Sequence, residues 1–474
     1  MVQRSLSTNL SKNTALFHAL LPLDDSFDLI TRDLKLGNTP AYWIGVNGFC
    51  KTEILQQIFS DLQDPLYTLD SEIRDLPRYV QSKLGYAQVS LTSSIDTILQ
   101  NILSGPSVLL VEGFAQAVII DVRTYPVRSI SEPDTERITR GARDGFVETL
   151  LFNTNLIRRR VRSPKLTFSI CSLGAESRTD VAIAYLADQV NEELLDTLKK
   201  KLSQLQITSL TMGSKSLEEL LIKKRWWNPL PSIQLTERPD VACSYLCEGH
   251  ILLIVDNSPA AMILPTRFFD FVQEANDFYF PPLVGSYLRI LRVVVFLLTL
   301  FITPVWYLLV QDPDLPNSAL GFLAVTSEYE VPILAQLLLT EFIVDLLKLA
   351  SLNTPSVFSN SFSMIGALVL GDFAVQAHWL VPEVLAYMAF VAIANFAQPS
   401  YELGYAFKLL RLVLLVSSAA LGWVGLALGT LLIIVLLVTT RPIAGGHYMY
   451  PIYPFNWHAL RALLIRRPIA PDNT

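Results

Sequence analysis

Three charged residues interrupt an otherwise apolar run near residue 340, and their spacing limits what they can do. Glu341, Asp345 and Lys348 stand at i, i+4 and i+7 within the stretch 331–350, which puts them on one face of a helix. An ionised group left against lipid costs roughly 2.5 to 3.5 kcal/mol on insertion scales, so in a bilayer that face must turn toward protein or water. Asp345 and Lys348 can partly neutralise one another. Glu341 is then the least compensated group, with Asp372 on the next segment and Asn395 beyond it. An acidic stripe inside a bundle can pass cations, or it can knot helices together without conducting, and the residue types leave both uses open.

A second charged cluster comprises Arg140, Arg143 and the run Arg158, Arg159 and Arg160. A triple arginine can hold a phosphate or an anionic lipid headgroup. The neighbouring Glu132, Asp134, Glu136, Asp144 and Glu148 can equally satisfy it within the protein, and the local charge balance favours that. Nothing else suggests chemistry. There is no GxxxxGK[ST], no GxGxxG after a strand and no HExxH, so no catalytic centre, metal site or cofactor site is predicted. Cys50, Cys171, Cys243 and Cys247 form no CxxC pair and are expected as free buried thiols. A net charge of −6 and a pI near 5.5 without a strongly basic domain argue against nucleic-acid binding.

The elements that position these residues follow from where charge is scarce. Only 17% of the 474 residues are charged, against roughly 25% in soluble domains. The deficit is local: residues 293–474 hold 17 charges in 182 positions, against 63 in the 292 before them. A purely soluble enzyme, a disordered chain and a fibrous protein are therefore poor fits. Residues 1–24 carry only a short apolar stretch broken by His18 and Pro22, which predicts no cleaved signal peptide.

In the charge-poor part, 293–310 is uncharged behind Arg289 and Arg292 and reads as a membrane span. The loop 311–330 carries four acids and no base, which places it outside. Two spans, 331–350 and 349–371, turn near Pro355, and another covers 382–397. The uncharged run 412–440 is 29 residues, about 43 Å as one helix against a hydrocarbon core of about 30 Å. Gly422, Gly425 and Gly429 offer a fold into a hairpin of two short legs. Lys408 and Arg411 before the run, and Arg441, Arg461, Arg466 and Arg467 after it, put both its ends on the cytoplasmic side. Six segments with both termini inside result, whereas a single tilted span would put the tail outside.

The first half alternates strand and helix. A strand at 42–46 precedes a helix at 52–62, and hairpins are predicted at 107–122 and 251–264, each with an acidic residue at its turn. Between them come a strand at 166–170, a long helix at 179–202 and a shorter one at 216–224. The echo between the hairpins suggests two subdomains of related plan, from an old duplication or from chance convergence of two short hairpins, and the match is too short to separate the two. The predicted fold class is an α/β cytoplasmic region of two subdomains followed by an all-α multi-pass membrane domain. Its divisions are an N-terminal tail (1–23), a first α/β subdomain (24–130), a charged connector (131–159), a second α/β subdomain (160–285), a transmembrane helical domain (286–441) and a cytoplasmic C-terminal tail (442–474).

Longer motifs carry a resemblance. Thr236-Glu237-Arg238-Pro239-Asp240-Val241, then Leu246-Cys247-Glu248-Gly249-His250 and Ile254-Val255-Asp256-Asn257-Ser258-Pro259, resemble the signature of the GerA family of spore germination proteins. Glu132-Pro133, Arg140-Gly141 through Gly145-Phe146, Asn155 through Arg160, Asn353-Thr354-Pro355, Gly371-Asp372 and Pro399 through Leu403 agree with it. Val46 through Cys50 and Tyr450 through Asn456 resemble the stage V sporulation protein AF branch. Ala142 and Asp144 depart from the family's Pro and Glu, which affects that loop alone.

The resemblance implies a multi-pass protein of the spore inner membrane, made in the forespore and needed for germination. It further implies a homo-oligomeric, ring-shaped channel that releases monovalent cations when germinants are sensed. Small-molecule germinants would be bound mainly by a partner membrane subunit, so this chain would be the conducting part. The implied partners are further copies of itself, other spore germination membrane proteins, monovalent cations and the lipid bilayer. The alternative is a non-conducting receptor or scaffold subunit whose membrane half only anchors and assembles. A secondary transporter fits less well, because no inverted pair of interrupted helices is visible.

Overall fold

The computed structural model describes residues 5–63, 75–83, 88–125, 136–222, 226–315, 319–353, 374–443 and 446–466. The chain forms two compact units. One is built mainly from Met1–Lys223 and Ile233–Thr266, the other from Lys224–Ser232, Arg267–Pro442 and Gly446–Thr474.

Within the first unit one plan occurs twice. Its first copy runs α1 (Leu10–Leu20), β1 (Leu29–Leu36), β2 (Thr39–Val46), α2 (Thr52–Gln63), α3 (Leu76–Lys83), β3 (Val89–Thr92), α4 (Ile95–Ser104), β4 (Ser107–Val111) and β5 (Ala117–Ile120). The second runs α5 (Leu150–Arg160), β6 (Leu166–Leu173), β7 (Thr179–Leu186), α6 (Glu192–Gln204), α7 (Gly213–Leu221), β8 (Gln234–Thr236), α8 (Pro239–Cys247), β9 (Ile251–Val255) and β10 (Ala261–Leu264). The sheets are antiparallel with strand orders β1-β2-β4-β5-β3 and β6-β7-β9-β10-β8, the same order in both copies.

Each sheet is covered on both faces. Tyr42, Ile44, Val108 and Leu110 point toward α1 and α4, while Trp43, Leu109 and Val111 point toward α2 and α3. This is the period of two expected along a strand. The second sheet divides likewise between α5 with α8 and α6 with α7.

The repetition extends to single hydrogen bonds. In the first copy Glu112 Oε2 accepts from Leu10 N at 2.6 Å, and Asn13 exchanges two bonds with the Ser7 backbone, at 2.9 and 2.7 Å. In the second, Asp256 Oδ1 accepts from Leu150 N at 3.0 Å, and Asn153 exchanges two with Val147, at 2.8 and 2.6 Å. The turn amides of Gly113 and Asn257 donate to Thr8 O and Glu148 O. The acidic residue seen at each hairpin in the sequence is thus a carboxylate on the amino end of a helix, where free backbone N–H groups need an acceptor.

Three sequence expectations are corrected here. The helix predicted over 179–202 is strand β7 followed by α6, whose Asn191 cap accepts from Leu194 N. Val181, Ile183 and Tyr185 face one core while Ala182, Ala184 and Leu186 face the other, and a strand buried on both sides shows no polar alternation to betray it. The stretch 1–23, read as a tail, contains α1, whose Phe17 is fully buried. The connector 131–159 contains most of α5.

The second unit is helical: α9 (Asn276–Tyr279), α10 (Pro282–Val310), α11 (Ile333–Asn353), the single turn α12 (Ala374–Gln376), α13 (Pro382–Phe396), α14 (Tyr401–Thr439) and α15 (Trp457–Leu464). Among the described residues α10 and α14 are long and apolar enough to cross a membrane, and α13 is a shorter apolar helix. α14 is broken at Gly422, with φ 61° and ψ −142°, a conformation open essentially to glycine. Its second leg folds back: a Cβ on Gly425 would strike the Ser417 carbonyl, and one on Gly429 would lie 2.8 Å from Leu414 Cδ2. This is the hairpin that the three glycines predict. Part of the stretch read as a C-terminal tail closes on the same unit, with buried Tyr448 donating from Oη to Pro231 O and accepting from Phe268 N. The predicted turn near Pro355 lies outside the described residues.

Candidate functional site

Helix α11 turns Ile333, Gln336, Leu337, Thr340 and Glu341 inward, the spacing of one helical face. Gln336 fixes the start of that face, its Nε2 donating to Val331 O at 2.7 Å and its Oε1 accepting from Val381 N at 2.8 Å. Deeper along it, Glu341 Oε1 accepts from Arg411 Nη2 at 2.5 Å and lies 3.4 Å from Lys408 Nζ. Lys408 Nζ also pairs with Asp345 Oδ2, and Arg411 Nη1 donates to Thr299 O at 3.0 Å. Lys408 and Arg411, three apart on the first leg of α14, share the face that meets α11. Glu341, Lys408 and Arg411 are all buried. The Lys348 ammonium lies 5.0 Å from the Phe396 ring centre.

The sequence reading is corrected on two points. Glu341, read as the least compensated carboxylate, is met by both Arg411 and Lys408, and Asp345 pairs with Lys408, a partner that its helical spacing did not suggest. Both cations had the look of cytoplasmic flanks, since they precede an apolar run. The antiparallel approach of α11 to the first leg brings them inside. Asn395 lies half-buried on α13 with Oδ1 lacking a hydrogen-bond partner, as do Asp345 Oδ1 and Ser418 Oγ. Asp372 lies outside the described residues.

A second buried set, missed in the sequence, sits where α10 begins. Asp277 is fully buried and accepts from Arg292 Nη1 at 2.8 Å and Nη2 at 3.1 Å. Arg292 Nη2 also reaches Glu274 Oε2 at 2.7 Å, and Arg289 Nη1 donates to Leu463 O at 3.0 Å. These arginines read as positive flanks of a span. Their carboxylates precede the helix by a short loop, and no spacing rule connects them.

The arginine cluster of the first unit does not converge. Successive residues on a helix point about 100° apart, and the three arginines separate accordingly. Arg158 is fully buried, its Nε 2.7 Å from Asp28 Oδ2 and its Nη2 3.1 Å from Oδ1. Arg159 lies over the Tyr125 ring at 4.5 Å, and Arg160 Nη2 meets Asp144 at 2.5 Å. A phosphate cradle built from all three is therefore absent from the described residues. Arg140 and Arg143 are exposed. Beside them Glu136 Oε2 accepts from Thr236 Oγ1 at 2.9 Å and Glu237 N at 3.0 Å. Burial raises its carboxyl to about 7. Arg238, also buried, donates to Glu136 O, Ala142 O and Asp240 Oδ2. The Thr236–Arg238 segment thus holds the 136–142 strand of chain in place. Of the four thiols, Cys243 is buried and pushed up to about 12 by that burial. Cys247 is exposed, against expectation.

A repeated two-sheet α/β unit, joined to an apolar helical unit with charges paired inside it, defines the class. A family model described as Bacillus/Clostridium GerA spore germination protein matches residues 20–474, and the chain belongs to that family of spore germination proteins. It is 34% identical to stage V sporulation protein AF of Bacillus subtilis over 97% of this chain and 92% of that protein. It is 30% identical to spore germination protein KA of the same organism, covering 98% and 85%. Among solved structures, the N-terminal domain of the A subunit of the Bacillus megaterium spore germinant receptor GerK3 is similar at 24% identity and a TM-score of 0.44, covering 56% of this chain and 97% of that one.

Proposed function

We propose that this chain is a multi-pass subunit of the spore inner membrane, with both termini cytoplasmic, that assembles into a homo-oligomeric ring alongside other germination membrane proteins and releases monovalent cations during germination. The observation that carries the reading is the set Glu341, Asp345, Lys408 and Arg411 inside an apolar bundle. Ionised groups at that depth are expensive and mark ion paths or their gates. With its carboxylates paired, the set describes a shut path, and conduction requires Lys408 and Arg411 to leave Glu341 and Asp345. Asp372 and Asn395 belong to the same proposed route.

Purified protein in liposomes is expected to pass potassium. The combined variant Glu341→Gln, Asp345→Asn and Asp372→Asn should change flux or selectivity. Absence of flux in the unmodified chain, or a triple variant that conducts unchanged, refutes conduction. A second reading, a non-conducting receptor or scaffold subunit, draws on the same closed ion pairs, which serve a purely structural bundle equally well. It forecasts loss of bundle stability in the triple variant and no flux in either protein.

A further inference from the structure

The end of the chain presents a surface that neither the bundle nor the ion pairs use. Residues 452–458 are exposed throughout, including Ile452, Tyr453, Phe455 and Trp457. Helix α15 follows, capped by Asn456 Oδ1 on Ala459 N, and carries Trp457 and Arg461 one turn apart on its exposed side. It is fastened at a defined level. Arg289 Nη1 donates to Leu463 O at 3.0 Å, Arg466 N donates to Ser286 Oγ at 3.0 Å, and the Arg466 guanidinium holds Phe280 O. All three ties fall on the first turns of α10 or just before it.

From that level an exposed apolar stripe runs along α10 through Leu283, Tyr287, Ile290, Val294 and Leu297, at i, i+4, i+7, i+11 and i+14. The helix that carries the end of the exposed aromatic segment is therefore tied to the end of α10 from which this stripe starts. Trp and Tyr favour the membrane–water boundary because the ring is apolar and the polar tip stays wet. Residues 446–466 contain no Asp or Glu, and Arg441, just past the end of α14, is exposed.

We infer that 452–465 is an interfacial foot, lying in the boundary between headgroups and acyl chains and binding anionic phospholipid through Arg461. The proposal rests on the multi-pass reading. A stem laid on lipid with its guanidinium reaching the phosphates is the ordinary way for Arg to sit at such a surface. No covalent chemistry is involved.

The test uses the full chain with a photo-crosslinking residue at position 457, in vesicles of phosphatidylglycerol and phosphatidylcholine. Lipid adducts are expected, with phosphatidylglycerol enriched above its mole fraction. Arg461→Ala should lower that enrichment by up to about fivefold, the effect of one surface charge. Adducts to a second copy or to another polypeptide overturn the inference, as do absent adducts or an enrichment that ignores Arg461→Ala. An alkaline wash separates the two levels. Protein released by it refutes the multi-pass reading, whereas protein retained with polypeptide adducts at 457 refutes the foot alone.

Discussion

Asp28 and Arg158 are both fully enclosed, and the consequence of separating them can be worked out. Asp28 Oδ2 takes Arg158 Nε at 2.7 Å, and its Oδ1 takes Nη2 at 3.1 Å and Ser26 Oγ at 2.6 Å. Arg158 also donates to Leu166 O at 2.9 Å, and Ser26 Oγ accepts from Phe168 N at 2.9 Å. The chain entering β1 of the first repeat is thereby tied to α5 and β6 of the second. In Asp28→Asn the amide turns an N–H toward a guanidinium that has no water to fall back on. Leaving one buried charge without its partner costs about 3 to 5 kcal/mol. Because the protein has two units, a global melting point mixes them, so the measurement is amide hydrogen exchange of β1 and β6 in the full chain. Their exchange should accelerate by about a hundredfold to about five-thousandfold, at roughly 1.4 kcal/mol per decade. The paired replacement Asp28→Leu with Arg158→Met removes both charges and should restore most of the protection. Acceleration below tenfold in Asp28→Asn, or a double variant as exposed as the single one, refutes this account.

Other expectations are more local. Glu136 is held neutral by burial to about pH 7, so its contribution is intact below the ordinary carboxylate range and is lost as pH rises through 7, by up to about 3 kcal/mol. Amide exchange of the 136–142 and 236–238 segments, corrected for the intrinsic pH dependence, should lose protection from pH 5 to 7 accordingly, and Glu136→Gln should flatten that loss. Gly422→Ala should cost about 1 to 3 kcal/mol through backbone strain alone, since a Cβ there meets nothing within 4 Å. Gly425→Ala should cost more, because its Cβ meets the Ser417 carbonyl; the order of amide-exchange acceleration in the two legs of α14 checks both. Asn13→Ala and Asn153→Ala remove equivalent buried clamps and should each cost about 1 to 3 kcal/mol. A large difference between them in local exchange argues against equivalence of the two repeats.

The two hairpins were legible because a short β-branched run, a turn and a second run leave few alternatives, and the glycines at 422, 425 and 429 revealed a fold in a run too long to stand upright. Val181 through Leu186 misled because a strand covered on both faces lacks a polar side. The role of Glu112 and Asp256 was invisible, since each caps a helix more than a hundred residues earlier. The pairing of Glu341 with Arg411 spans 70 positions, and a single sequence holds no signal linking them. What the sequence did show was that Glu341 and Asp345 need partners; which residues supply them is decided by how α11 meets α14.

The capping carboxylates also order events in time. The amino end of α1 is completed by Glu112, 102 positions later, and that of α5 by Asp256, 106 positions later. A ribosome adding about 5 to 20 residues per second delivers each cap roughly 5 to 20 s after the helix that needs it. Each repeat is therefore sealed by its own last hairpin, and the cap of the first helix can form while the second repeat is still being made. A nascent chain halted before residue 112 carries an unlocked first helix, whereas one halted after β5 carries the complete first sheet and its cap, with Asp28 still waiting for Arg158.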